Sequence, residues 1–119
     1  MRLLEFQAKR ILKDHGIAVP KSVLVTDPGD LKGITFPTVL KAQIPVGGRG
    51  KAGAIQMVNQ AVEAQAVMRG LFASNVKGYP VAAILAEEPV EAKREVYIAY
   101  LIDKQINLPL VMASSSGGV

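Results

Sequence analysis

The sequence predicts an α/β (α+β) fold in which a mostly antiparallel sheet of short strands carries two main helices. Apolar residues recur at helical spacing in two segments, and the remaining chain alternates short β-branched runs with turn-forming clusters of Gly, Pro, Asp and Asn. A length of 119 residues, half of them hydrophobic (50%) and 20% charged, suits one compact unit and not a disordered tail. No repeat, low-complexity linker or shift in composition divides the chain.

Each element has its own signal. Leu4, Ala8, Ile11 and Leu12 form one face of a helix expected over residues 3–15, with Gly16 placed to stop it. The β-branched run at 22–26 predicts a strand that ends at Asp27-Pro28-Gly29-Asp30. Strands at 37–43 and 54–58 are joined by a glycine-rich link and are expected to pair as a hairpin. Val62, Ala66, Val67 and Leu71 mark a second helix over 59–72, with Asn59 as its N-cap and Gly70 near its end. Strands at 81–86, 95–102 and 108–113 complete the expectation.

Composition excludes several classes of function. The absence of cysteine rules out a disulfide scaffold, a thiolate nucleophile and a Cys-based zinc site, and it suits a reducing compartment. No stretch approaches the roughly 20 apolar residues that a membrane-spanning helix needs, and the N-terminal residues lack the apolar core of a secretory signal. A soluble, cytoplasmic protein without a membrane partner is expected. Fourteen Lys and Arg against ten Asp and Glu give a formal charge of +4, which favours anionic partners. With 5% aromatic residues and no Trp, there is little material for stacking single-stranded nucleic acid, so phosphate in a smaller molecule is the better match.

The richest chemical signal is Gly47-Gly48-Arg49-Gly50-Lys51-Ala52-Gly53, entered from a strand that carries Lys41. Glycine lets the backbone approach a phosphate and turn several N–H groups inward, while Arg and Lys balance its charge. Gly48, Gly50 and Gly53 spell the dinucleotide fingerprint, but that motif must open a helix and residues 54–58 read as strand. A Walker A loop fails too, because Ala54 and Ile55 stand where Lys and Ser or Thr are required. What fits is a glycine-rich hairpin loop over phosphates with Lys41 reaching them from the adjacent strand. A solvated hairpin end and a polyanion-binding loop remain the alternatives. A β-branched residue at Gly50 is expected to disturb such a loop.

Further along, a polar connector from Glu87 to Glu95 would face the rest of a nucleotide. Pro89 removes a backbone donor, leaving neighbouring groups to read an adenine edge, and a carboxylate such as Glu95 can accept from ribose hydroxyls. Glu88, Glu91 and Lys93 read as a solvated charge run. His15 reads as a surface residue at a helix C-terminus, where a cation is favoured. Tyr97 and Tyr100, three apart on a strand, should face opposite sides, one core and one surface. Residues 114–118 read as a loop.

Three motifs together resemble the N-terminal part of the β subunits of succinyl-CoA synthetase, the ADP- or GDP-forming succinate–CoA ligases of the ATP-grasp superfamily. Leu4-Glu5-Phe6-Gln7-Ala8-Lys9 is similar to the family's opening, Lys41-Ala42-Gln43 through Gly53 to its glycine loop, and Ile84-Leu85-Ala86-Glu87 through Glu95-Val96-Tyr97 to its third motif. The resemblance implies the first lobe of an ATP-grasp fold, a single partial domain over 1–119, with the second lobe and a CoA-ligase domain beyond it. It implies that Lys41, Gly48, Arg49 and Gly50 hold phosphates, that Glu87 and the Val90 backbone line the base side, and that Glu95 contacts the sugar or phosphate region. It also implies ATP or GTP as nucleotide, Mg²⁺ held by ligands outside these residues, and an α subunit carrying the phosphohistidine.

The chain departs from the family pattern at Pro45, Ala54 and Ser116, where a small polar residue or His, Gly and Glu are usual. A relative acting on malate or citrate is therefore an alternative, as is a nucleotide-binding module without chemistry. The chain by itself is expected to be inactive.

Overall fold

The computed structural model describes residues 2–117. Two helices, α1 (Glu5–Asp14) and α2 (Ala61–Phe72), accompany eight strands: β1 (Ser22–Val25), β2 (Thr38–Ala42), β3 (Ile55–Val58), β4 (Asn75–Val76), β5 (Tyr79–Pro80), β6 (Ile84–Glu87), β7 (Tyr97–Asp103) and β8 (Leu108–Ser114). The central sheet has the order β1-β6-β2-β3, with every neighbouring pair antiparallel. Two separate hairpins, β4-β5 and β7-β8, stand beside it. This is the α+β arrangement that the sequence predicts, including the β2-β3 hairpin.

Strand alternation divides the sheet into two unlike faces. Thr38, Leu40 and Ala42 of β2 are buried while Val39 and Lys41 between them are half-buried, because successive residues point to opposite sides. The first set faces α2, whose Ala64, Met68 and Leu71 are buried at helical spacing. Leu40, Val58, Met68 and Ile84 are fully buried and form the centre of this apolar layer. The other face carries Lys41 and, diagonally across the β2-β6 pairing, Glu87. Over it lies α1, no residue of which is buried.

The ends of α1 follow from sequence. Gln7 reaches back to accept the Leu4 N–H at 2.8 Å, satisfying a donor that helix geometry leaves without an internal partner. At the other end Gly16 adopts a φ of +77°, a left-handed conformation that glycine takes without a Cβ clash. His15 caps this end through Nδ1, 2.8 Å from the Ile11 carbonyl oxygen.

Several boundaries differ from the sequence expectation. The N-cap of α2 is Gln60 and not Asn59; no side chain caps the first turn, and the Glu63 carboxylate instead reaches back to accept the Asn59 N–H at 2.8 Å. The C-terminal end of α2, by contrast, falls at Phe72 as expected, with Gly70 near it. The strand expected at 81–86 runs over Ile84–Glu87, so Glu87 is a buried strand residue and not part of a polar connector. The β4-β5 hairpin was not anticipated. Its turn, Lys77-Gly78, has φ values of +51° and +86°, the left-handed pair of a two-residue type I′ turn.

Neither Tyr97 nor Tyr100 is a core residue; both are exposed. They belong to the β7-β8 hairpin, where Ile98, Tyr100, Ile102, Leu108 and Val111 are all exposed. Among the described residues, no helix is long and apolar enough to cross a membrane.

Candidate functional site

The loop between β2 and β3 is shaped by its own backbone. Ala52 and Ala54 both donate N–H groups to the Arg49 carbonyl oxygen, at 3.2 and 2.9 Å, and Gly53 donates to the Gly50 carbonyl oxygen at 3.0 Å. These bonds fold residues 49–54 back on themselves and leave the preceding glycines free of strand pairing. Gly48 has a φ of +69°, which favours glycine; a Cβ placed there would also come within 2.8 Å of Lys77 Nζ, the end of a flexible side chain that can move aside. Gly50 differs: its φ is not left-handed and nothing lies within 4 Å of an added Cβ. The expectation that this loop depends on Gly50 for its backbone angles therefore shifts to Gly48.

Beside the loop runs a groove of about 1160 Å³, lined by residues that include Glu5, Gly48, Arg49, Gly50, Lys51 and Tyr97. The Arg49 side chain turns towards the sheet. One terminal nitrogen, Nη1, donates to the Ala42 carbonyl oxygen at 2.9 Å, and Nη2 donates to Glu5 Oε2. Lys41, projecting from the α1 face of β2, donates from Nζ to Glu87 Oε1 at 2.5 Å and to Glu5 Oε1 at 3.2 Å. Lys9, one turn along α1, donates to Glu5 Oε1 at 2.8 Å and to Glu87 Oε2.

Three cations thus meet two carboxylates in a partly buried cluster, leaving one positive charge uncompensated beside the glycine loop. Burial raises the Glu5 carboxyl, but the hydrogen bonds from Lys9 and Arg49 and the charges of Lys41 and Lys9 outweigh it, and its pKa falls from 4.5 to about 2. Burial lowers the Lys41 ammonium, yet Glu87 and Glu5 overcome this and hold it above its ordinary 10.5. Both groups are ionised over the whole physiological range.

The residues named from sequence fall into two sets. Lys41, Arg49 and Glu87 come together in the ion cluster, and Gly48 and Gly50 line the adjoining groove. Val90 and Glu95 do not line that groove; both are exposed on the segment between β6 and β7, where Glu95 lies against Gly117. Three site residues escaped the sequence argument. Glu5 and Lys9 carried a signal, an acid and a base one helical turn apart on a predicted helix. Lys77, which donates to the Gly47 carbonyl oxygen at 2.7 Å, could have been found only through the Lys-Gly turn that projects it.

The fold is an α+β lobe whose antiparallel sheet presents a hairpin loop of glycines and cations, with a lysine from the adjoining strand at its base. The chain belongs to the ATP-grasp domain family, whose pattern it matches over residues 2–119. It is similar to the succinate–CoA ligase [ADP-forming] β subunits of Methanocaldococcus jannaschii, at 43% identity, Archaeoglobus fulgidus, at 41%, and Ignicoccus hospitalis, at 37%. Each similarity covers 100% of this chain but only 32–33% of the relative. The chain therefore spans about a third of the length of those proteins.

Proposed function

We propose that this chain is the nucleotide-binding lobe of an acid–thiol ligase β subunit of the succinyl-CoA synthetase type, supplying the phosphate half of a shared site. The observation that carries the reading is the convergence of Lys41 and Arg49 beside the glycine loop with a net positive charge. Both cations retain donors for a ligand. Lys41 uses two of the three ammonium protons, and the two Arg49 contacts leave part of its five-donor fork available. Phosphate oxygens entering the groove would meet these donors and the loop N–H groups together, a charge-assisted arrangement.

In this proposal Gly48, Arg49, Gly50 and Lys41 hold phosphates, while the Val90 backbone and Glu95 serve the base and sugar. Glu87 acts by holding Lys41, since its carboxylate is already engaged by two ammonium groups. The nucleotide is ATP or GTP. In the complete ligase its phosphoryl group passes to a histidine of an α subunit and then to a carboxylic acid, which CoA converts to the thioester. Mg²⁺ would accompany the nucleotide's phosphates: among the described residues no group of three His, Cys, Asp or Glu is gathered, and the two carboxylates nearest the loop are bound to cations, which supports placing its ligands elsewhere.

A ¹⁵N NMR titration with MgATP tests the reading. Shifts concentrated on residues 47–53, Lys41 and the 87–95 segment are the expected result. No shifts at millimolar nucleotide would remove the phosphate role, and equal shifts with single-stranded RNA would favour a polyanion-binding loop instead.

A further inference from the structure

Neither Lys41 nor Arg49 is held by its own element. Lys41 extends from β2 across the sheet face, and Arg49 sits in a loop whose tip has no strand partners. Long cationic side chains in such places lose rotamer entropy when fixed, so something must fix them before a ligand can be bound efficiently. Glu87 Oε1 holds Lys41 at 2.5 Å and the Ala42 carbonyl oxygen holds Arg49 at 2.9 Å, but the group that touches both cations is a single carboxylate. Glu5 Oε1 accepts from Lys41 at 3.2 Å, and Glu5 Oε2 accepts from Arg49.

The carboxylate is itself fixed from several sides. Glu5 lies in the first turn of α1, where the helix dipole favours a negative charge, and Lys9 one turn later donates to it at 2.8 Å. Lys9 also bridges to Glu87, and the Phe6 N–H donates to Gln43 Oε1 at 3.1 Å, so the start of α1 is tied to β6 and to the end of β2. Glu5 lines the groove in its own right. No residue of the helix is fully buried, and its half-buried Phe6 and Ala8 add only a small apolar contact, so these polar links carry much of its position.

We propose that Glu5 is a positioning residue for phosphate recognition, holding Lys41 and Arg49 on the two oxygens of one carboxylate so that their remaining donors face the groove. This rests on the nucleotide-binding reading above. It makes a prediction opposite in sign to simple electrostatics. A carboxylate beside an anion site repels the ligand, so if Glu5 acted only through its charge, Glu5→Gln would tighten binding and Glu5→Asp would leave it unchanged. If Glu5 acts by geometry, both variants weaken binding, because the amide cannot pair with two cations and the shorter acid cannot reach both.

The experiment compares the 119-residue wild type with Glu5→Gln, Glu5→Asp and the exposed charge control Asp14→Asn, each titrated by NMR with MgATP and with inorganic tripolyphosphate. The expected result is weakening on the order of tenfold for both Glu5 variants with both ligands, and none for Asp14→Asn. In the ligand-free chain, the Arg49 guanidinium protons should be resolved in the wild type and averaged in Glu5→Gln, while the amide spectrum of α2 stays in place and reports an intact fold. Equal or tighter binding by Glu5→Gln, or an unchanged Arg49 signal, overturns the proposal while wild-type binding keeps the nucleotide reading intact. A wild-type chain that binds neither ligand overturns both.

Discussion

The two faces of the central sheet hold their helices by different physics. On one face α2 packs Ala64, Met68 and Leu71 against Leu40, Val58 and Ile84, an apolar contact without direction and nearly indifferent to salt or pH. On the other face α1 has no fully buried residue and is held mainly by a carboxylate cluster and hydrogen bonds, with Phe6 and Ala8 half-buried beneath it. The first arrangement fixes the fold and the second places charged groups where a ligand can use them. A binding site built on the apolar face would have to break the core to admit anything polar, whereas the ionic face already presents solvated cations.

This contrast can be broken or sharpened by experiment. The largest effect belongs to the apolar face: Met68→Ala should cost about 2–5 kcal/mol of stability by leaving a cavity, seen as a lowered Tm in thermal denaturation followed by circular dichroism. Below that Tm the loop should still bind. Next comes Lys41→Ala, expected to weaken MgATP binding by about 1–3 kcal/mol in a calorimetric titration while α2 keeps its amide protection. Gly48→Ala should cost about 1–2 kcal/mol of stability, since it forces a left-handed backbone at a φ of +69°, and its loop resonances should broaden.

Smaller effects come from titration. The folded Glu5 pKa of about 2 lies below its ordinary 4.5, so its contribution is present above pH 4.5 and is lost as pH falls towards 2. After solvent screening the loss is on the order of 1 kcal/mol, and hydrogen exchange should show α1 opening before α2 across that window. High salt should move α1 in the same direction and leave α2 alone. The smallest effect is expected on the β7-β8 hairpin, where Ile98→Thr removes an exposed side chain and should stay within about 0.5 kcal/mol. A large loss there would show that the hairpin is buried in solution against something else.

What was legible in the sequence follows the same division. Apolar spacing revealed both helices, although only for α2 does it mark a dry side: Ile11 and Leu12 of the expected α1 face are exposed. The glycine loop was legible because its residue types have few other uses. The short β4-β5 hairpin was not, since four strand residues carry no periodicity and Lys-Gly is a weak turn signal. The ion cluster was only half legible: Lys41 could be aimed at an anion, but Glu5 and Glu87 lie 36 and 46 residues away in sequence, and only the docking of α1 and the β2-β6 register bring them to it. Val90 and Glu95 were placed by family resemblance, and the geometry of this chain does not gather them to the loop.

The alternation of β2 ties fold and function to a single parity. Leu40 and Lys41 are adjacent, one fully buried against α2 and the other extended into the ion cluster. Inserting or deleting one residue in this strand would exchange them, placing an ammonium group in the apolar layer and a leucine among the carboxylates. Substitutions can tune the core and the loop separately, but a change of frame within these five residues cannot touch one without the other. The strand therefore tolerates replacement far better than it tolerates a change in length, and any lineage that keeps the cations must keep the count.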